Sequence, residues 1–446
     1  MGTTADIAQF VQQTSFDEFD AKLVQHVKNV LLSGVGMTLA GVNSETSKAV
    51  LSYVRECGAQ QEVGVIGANF RTSVEYAALA NGTTSHTTEL EDDTRAENMY
   101  SVGVFPAMLA LGEKLRISGK ELIEAFVIAW DVASKLAMAS QDMMGRGLAP
   151  WSAGATIGVA AGAAKLLKLN DHQIAMAVSI ATSHAAGLFK QVGSGAHLYE
   201  SGMAGRNGLA SAILAKHGLT GQPTVLECPM GYLQAVSGIT DPVLKLGAPF
   251  RAQAIEIKKY PCCLSQMHPI DAFVKLIDEQ QISAHEVTAV RLEAPPSFKL
   301  AAALYHHPKN ADQAKFSLAH SIACSFLDKK PWLNRYTTEG ANGLDVASFR
   351  EKIEIVYRSD LAGAELPITV TLADGSQLHA WTRKITEHID VSDEEIRDKY
   401  RRCVAGLFAR GREEQIEDSL LSLERLPDIS KLMAELTYID ELTYVD

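Results

Sequence analysis

From about Phe16 to Lys216, Ala, Leu, Val and Met recur at three- and four-residue spacing, with Gly or Asn between segments. That is the period of helices burying one stripe, and no alternating pattern interrupts it, so the region is expected to hold helices and no strand. Residues 121–140 (ELIEAFVIAWDVASKLAMAS) and 154–169 (GATIGVAAGAAKLLKL) are apolar around most of their circumference, which places a helix at the centre of a bundle. The longest charge-free apolar stretch, residues 149–164, is rich in Gly and Ala. It is shorter than the roughly 18 to 20 residues of a membrane-spanning helix, so it reads as a buried helix packed closely against its neighbours.

After Tyr260-Pro261 the texture changes. Residues 287–293 (VTAVRLE), 353–357 (IEIVY) and 368–373 (ITVTLA) alternate apolar and polar positions and favour β-branched types. The last of these runs through Asp374-Gly375 into residues 377–381 (QLHAW), a hairpin with a strong turn signal. A small α+β domain fits here. Helical periodicity resumes near Ser392, and this tail either caps the small domain or returns to the bundle.

Composition narrows the class. The chain has 446 residues, of which 47% are hydrophobic and 21% charged, enough apolar material for a large core in two or three domains. A net charge of −12 with no Lys/Arg run argues against a nucleic-acid partner. Six scattered cysteines (Cys57, Cys228, Cys262, Cys263, Cys324, Cys403) without a CxxC pair read as reduced thiols of an intracellular protein. The opening MGTTAD has no secretory pattern, and Asp6 stands where a myristoylation signal wants Ser or Thr, so a cytoplasmic protein without a membrane anchor is expected. Neither GxGxxG nor a P-loop occurs, so no nucleotide cofactor is expected. His306-His307 and His320 lack a partner at useful metal spacing and HExxH is absent, so no metal site is expected.

Four stretches carry a resemblance: residues 81–113 (NGTTSHTTELEDDTRAENMYSVGVFPAMLALGE), 147–169 (GLAPWSAGATIGVAAGAAKLLKL), 257–271 (IKKYPCCLSQMHPID) and 314–325 (AKFSLAHSIACS). Their order and spacing resemble the MmgE/PrpD family, which includes 2-methylcitrate dehydratase, cis-aconitate decarboxylase and iminodisuccinate epimerase. The resemblance implies a mainly α fold in which a large discontinuous helical-bundle domain (residues 1–262 and 400–446) carries an inserted smaller α+β domain (263–399), with the active site between them. It further implies a homodimer without cofactor, acting on a small organic acid.

This chain resembles a divergent member. Asp92-Asp93-Thr94 matches the family stretch, but the following His-Pro pair falls at Met99-Tyr100 or Tyr100-Ser101. A second family histidine is replaced within Gly147-Leu148-Ala149-Pro150, and a family lysine aligns with His197; the lysine before the Tyr-Pro-Cys-Cys stretch remains as Lys258.

Acting on such an acid requires cations for carboxylates and a base near a carbon-bound proton. The candidate catalytic residues are Lys258 as the anion partner, Tyr100 as a hydrogen-bond donor, His197 as a substitute cation and Asp93 as a group orienting a base or hydroxyl. Asp92, Thr94, Met99, Ala149, Trp151, Tyr260 and Cys263 are the candidate substrate-binding residues. On a helix Asp92 and Asp93 would diverge by roughly 100°, so only one faces a pocket. Blander roles compete: a helix-capping or solvated Asp pair, a core tyrosine, a loop histidine, a surface lysine, and cysteines that fill space. His268 reads as a helix cap.

Imidazole giving way to Met, Tyr and Ala, with Trp151 beside it, makes a more apolar and less cationic pocket. A rearrangement or cyclisation of a largely apolar organic acid by a lyase or isomerase is therefore expected. The alternatives are a small-polycarboxylate dehydratase, decarboxylase or epimerase using Tyr100, His197 and Lys258, and a non-catalytic binding protein.

Overall fold

The computed structural model describes residues 2–439 apart from Ala96, Gln141 and Asp241, so the assignment of residue 1 and residues 440–446 to the helical domain lies outside the described residues. The first half is a helical bundle: Thr3–Gln13 (α1), Ala21–Gly41 (α2), Glu45–Glu56 (α3), Val74–His86 (α4), Phe105–Leu115 (α5), Gly119–Ala139 (α6), Pro150–Leu166 (α7), Asp171–Thr182 (α8) and Gly195–Lys216 (α9). Capping boxes at Ser118/Glu121 and Asn170/Gln173 start α6 and α8, and Pro150 opens α7, where its missing N–H leaves nothing unsatisfied. As the sequence predicts, α7 is buried on all sides through Ala164.

Close approach has a specific cause where α4 crosses α9. A Cβ on Gly82 would stand 2.8 Å from the Gly202 Cα, and one on Gly202 would stand 2.2 Å from the Leu79 carbonyl oxygen. Only paired glycines allow this spacing. One turn beyond it, His86 of α4 meets Ser201 and His197 of α9.

Four short strands interrupt the region expected to be wholly helical: Val63–Val65 (β1) with Phe70–Thr72 (β2), and Asp93–Thr94 (β3) with Met99–Tyr100 (β4), both antiparallel. Two or three residues are too few to show alternation, which is why periodicity missed them.

Tyr232–Ser237 (α10) packs on the bundle core, and the second half then adds Met267–Gln280 (α11), Ala311–Ala314 (α12), Leu318–Asp328 (α13), Thr338–Asn342 (α14) and Leu344–Arg350 (α15) around a mixed sheet. Its strands are Val287–Ala294 (β5), Ile353–Tyr357 (β6), Pro367–Leu372 (β7) and Gln377–Trp381 (β8), in the order β6-β5-β7-β8. The β5–β6 pair is parallel, and the predicted β7–β8 hairpin turns at Asp374-Gly375, where Gly375 takes φ +84° and the Ser376 N–H donates to Asp374 Oδ1.

The chain then returns to the bundle with Asp393–Val404 (α16), Arg412–Leu421 (α17) and Ser430–Thr437 (α18). Ile396, Tyr400, Leu420 and Met433 from these helices share a core with Val27, Leu31 and Phe105, while Phe273, Val290, Ile322 and Ile368 build a separate core around the sheet. The architecture is thus mainly α: a discontinuous helical bundle with an inserted α+β domain.

Candidate active site

The segment between α4 and α5 buries five acidic side chains: Glu89, Glu91, Asp92 and Asp93 in one run, and Glu97, which pairs with Arg251. Glu89 holds φ +54°, turning the chain out of the helix. Farther on, Asp93 pairs through its backbone with Glu256, N to O at 3.0 Å and the reverse at 2.7 Å. That bridge sets the strand leading into the inserted domain beside the acidic segment, and two residues later Lys258 lands among the carboxylates.

Lys258 is 1% exposed. Its ammonium donates to Glu91 Oε1, to Glu89 Oε1 at 3.3 Å and to the Glu89 carbonyl at 3.4 Å, and lies 5.8 Å from the Tyr100 ring centre. Burial alone would lower the Lys258 pKa, but Glu91, Glu89 and Asp93 raise it above the ordinary range, so it stays charged. Burial also works against the Glu91 carboxylate, yet the lysine beside it pulls its pKa down to about 2.

The other two acids go the opposite way. Burial, with Glu91 nearby, pushes Glu89 up to about 8, and burial pushes Asp93 up to about 8 against the pull of Lys258. Burial holds Tyr100 well above its usual value, so it remains a phenol that donates. One ammonium, one carboxylate and two carboxyls poised near neutrality form a site with little net charge, and near-neutral pKa values suit proton transfer.

A cavity of about 300 Å³ opens over this group between the two domains. Asp93, Tyr100, Trp151, Lys258 and Cys263 of the predicted residues line it, together with Glu89, Arg95 and Asn98. Trp151 stacks on Tyr100 at 5.1 Å between ring centres and meets Phe189, while Phe298, Phe316, Val192 and Ala301 complete an apolar wall drawn from both domains. Among the described lining residues none is a histidine. Arg95 bonds Glu256 through Nε, 3.0 Å from Oε1, and leaves Nη2 without a partner; Asp93 Oδ1 is likewise unpartnered. Buried polar atoms left open in this way fit a ligand. A wider groove of about 790 Å³ between α2 and residues 388–396 has no such atom in its lining.

The remaining predicted residues stand elsewhere. The Asp pair lies in an extended segment and is buried, neither on a helix nor solvated, and its side chains still diverge: Asp92 accepts from Ser33 Oγ at 2.8 Å and faces Lys399, away from the cavity. His197 sits in helix α9, not in a loop, and lies behind the cavity wall, its ring edge-on to Trp151 at 5.2 Å and to Tyr100 at 6.3 Å. Thr94 is buried in β3, Met99 packs on α7 at Gly154, and Ala149 backs Trp151, all outside the lining. Tyr260 donates to Asp271 at 2.9 Å and lines a different, smaller cavity on the far side of Lys258. Burial pushes the Cys263 thiol up to about 11, so it lines the cavity as a neutral group. His268 is not a cap: it lies in the first turn of α11, and its Nε2 bonds the Glu387 carbonyl at 2.9 Å.

Sequence reasoning missed His86, Glu89, Glu91 and Arg95. The available signal was the run Glu89-Leu90-Glu91-Asp92-Asp93 itself, which looks solvated but directly follows a helix without a polar face.

Two family models match most of the chain. A family model described as the MmgE/PrpD N-terminal domain matches residues 5–245, and one described as the MmgE/PrpD C-terminal domain matches residues 260–425. The chain is similar to a cis-aconitate decarboxylase-like protein, oryM, of Aspergillus oryzae, at 26% identity covering 97% of this chain and 96% of that protein. It is also similar to the cis-aconitate decarboxylase of Aspergillus terreus (25% identity, 97% of this chain, 95% of the other) and to that of Homo sapiens (24% identity, 92% and 89%).

Proposed function

Because the chain belongs to the MmgE/PrpD family, we propose that it is a lyase- or isomerase-type enzyme acting on a small organic acid with an apolar body, which it rearranges or cyclises in a preorganised cavity. The observation that carries this reading is the composition of the site: a single lysine already matched by Glu91, two further acids at its side, and an aromatic wall of Tyr100, Trp151, Phe189 and Phe316. A second or third substrate carboxylate would meet acidic neighbours, whereas an apolar body fills the wall.

In this reading the substrate carboxylate takes the open Nη2 of Arg95 and the field of Lys258. Asp93, ionised, accepts a proton from the carbon next to that carboxylate. The charge developing on the carboxylate is held by the Lys258 ammonium, and the Tyr100 phenol returns a proton at a second atom. These proton transfers need no cofactor. The family supports a homodimer, which light scattering on the purified protein tests, and the apolar pocket supports a biosynthetic role; the scattered cysteines support a place in the cytoplasm.

A second reading keeps a small-polycarboxylate decarboxylase, dehydratase or epimerase with Tyr100, His197 and Lys258. The near full-length similarity to cis-aconitate decarboxylases favours it, as does Arg95, which offers a second cationic contact.

The test is a panel of organic acids incubated with the protein in deuterated buffer, following carbon-bound proton exchange and carbon dioxide release. Exchange in apolar monocarboxylates, lowered by about a hundredfold to ten-thousandfold in Asp93→Asn, is expected. Exchange or decarboxylation confined to aconitate- or citrate-like acids would favour the second reading, and no turnover of any acid would sink both.

A further inference from the structure

Two histidines that the proposed reaction leaves unused lie against the back of Tyr100. His86 and His197 are wholly buried, with ring centres 4.6 Å apart. His86 Nε2, both ring nitrogens of His197 and Glu89 Oε2 have no hydrogen-bond partner. His86 Nε2 lies 3.9 Å from Glu89 Oε2, and one ligand atom from each of the three residues lies within 4.8 Å of the others. Three open polar atoms, one from each residue, converge in a dry interior, which the aromatic wall does not explain.

We propose that His86, Glu89 and His197 hold a divalent transition-metal ion, zinc foremost, behind the cavity wall. Two imidazoles and a carboxylate are a donor set that zinc takes. The His86 ring is already oriented for it, since its Nδ1 is fixed by Ser201 Oγ at 2.9 Å and its Nε2 is left facing Glu89. Histidine ligands are commonly set by such an outer partner on the other nitrogen. Glu89 is likewise divided: Oε1 faces Lys258 at 3.3 Å and Oε2 faces the histidines.

Glu91 Oε1, 3.9 Å from His86 Nε2, can supply a fourth ligand. Tetrahedral zinc with bonds of about 2.0 to 2.2 Å puts its ligand atoms roughly 3.4 Å apart, so binding draws the set inward from the 4.8 Å within which it lies. Neither histidine lines the cavity. The ion would hold Glu89, and through it the seat of Lys258, without touching substrate. This inference goes beyond the proposed reaction and does not depend on it.

The test is metal binding alone. Chelator-treated protein is titrated with zinc ions followed by calorimetry, and with cobalt ions followed by visible absorption. One ion per chain is expected, with cobalt bands of nitrogen and oxygen ligation and no thiolate charge-transfer band. Ser201→Ala should weaken affinity by about 10- to 100-fold, as loss of an outer partner does. The double variant His86→Gln/His197→Gln should abolish binding, while His306→Ala/His307→Ala, at the half-buried His306 and exposed His307, should retain it. If the His86/His197 variant does not fold, Ser201→Ala carries the test. An ion that survives the His86/His197 change, one lost with His306 and His307, an affinity unmoved by Ser201→Ala, or no ion in the unaltered protein overturns the proposal.

Discussion

Two buried lysines, Lys258 and Lys399, meet carboxylates from one five-residue segment and are used in opposite ways. Lys399, on α16, donates to the Leu90 carbonyl at 2.7 Å and lies 3.5 Å from Asp92 Oδ1. Burial lowers its pKa despite Asp92, and burial in turn raises Asp92 to about 6. This is one lysine against one acid, and its geometry ties the returning C-terminal helix to the bundle. Lys258 faces Glu89, Glu91 and Asp93, and their charge overrides burial. Surplus acid over base, next to a cavity, supports the role proposed for Lys258, since a merely structural pair has no use for two carboxyls poised near neutrality.

The largest effect expected from breaking this contrast is Lys258→Met. Losing the cation that faces developing charge should lower turnover by about a hundredfold to a thousandfold, measured as kcat/KM on whichever acid of the panel is turned over. Lys399→Met should instead strike stability, by about 3 to 5 kcal/mol in urea melts, because it leaves Asp92 buried and unpaired. The double variant with Asp92→Asn should recover much of that loss. Tyr100→Phe should slow turnover by about a hundredfold while leaving the melting temperature nearly unchanged.

The pH dependence separates the two regions more finely. Asp93 binds its proton more tightly folded, at about 8, than unfolded, in the ordinary carboxyl range. Its contribution to stability is therefore complete below a pH of about 4 and is lost as pH rises toward about 8. Asp93→Asn should flatten the stability profile across that window, as urea melts at several pH values would show. Glu91, held at about 2, has the opposite sign: its contribution is present above the ordinary glutamate range and lost as pH falls toward 2. The smallest effect is Tyr260→Phe, which should forfeit about 1 kcal/mol for the Asp271 hydrogen bond and leave turnover unchanged, since Tyr260 lies off the cavity.

Periodicity made the bundle, the inserted sheet and the Asp374-Gly375 hairpin legible, because each repeats its pattern over several turns or residues. Ribbons as short as β3–β4 carry no such pattern, yet β3 and β4 hold Asp93 and Tyr100 where they line the cavity. Lys258 was readable from its place at the change of texture. His86, Glu89 and Glu91 were not, although they stand in the quoted motif, because their convergence depends on the Gly82–Gly202 crossing and the Asp93–Glu256 bridge. The same blindness explains Met99, Ala149 and Thr94: adjacency in sequence put them beside lining residues, and side-chain direction turned them away. Arg95, one residue past Thr94, could have been noticed as the first cation after the acidic run.

The most direct test of the central claim, that this cavity is charge-matched and shaped for an apolar acid, is calorimetric binding at neutral pH of apolar monocarboxylates compared with citrate, cis-aconitate and iminodisuccinate-type acids. The account predicts saturable binding of an apolar acid, weakened in Lys258→Met, and none of the polycarboxylates. Tight binding of the polycarboxylates with no response to the apolar acids would contradict it and return the site to polycarboxylate chemistry.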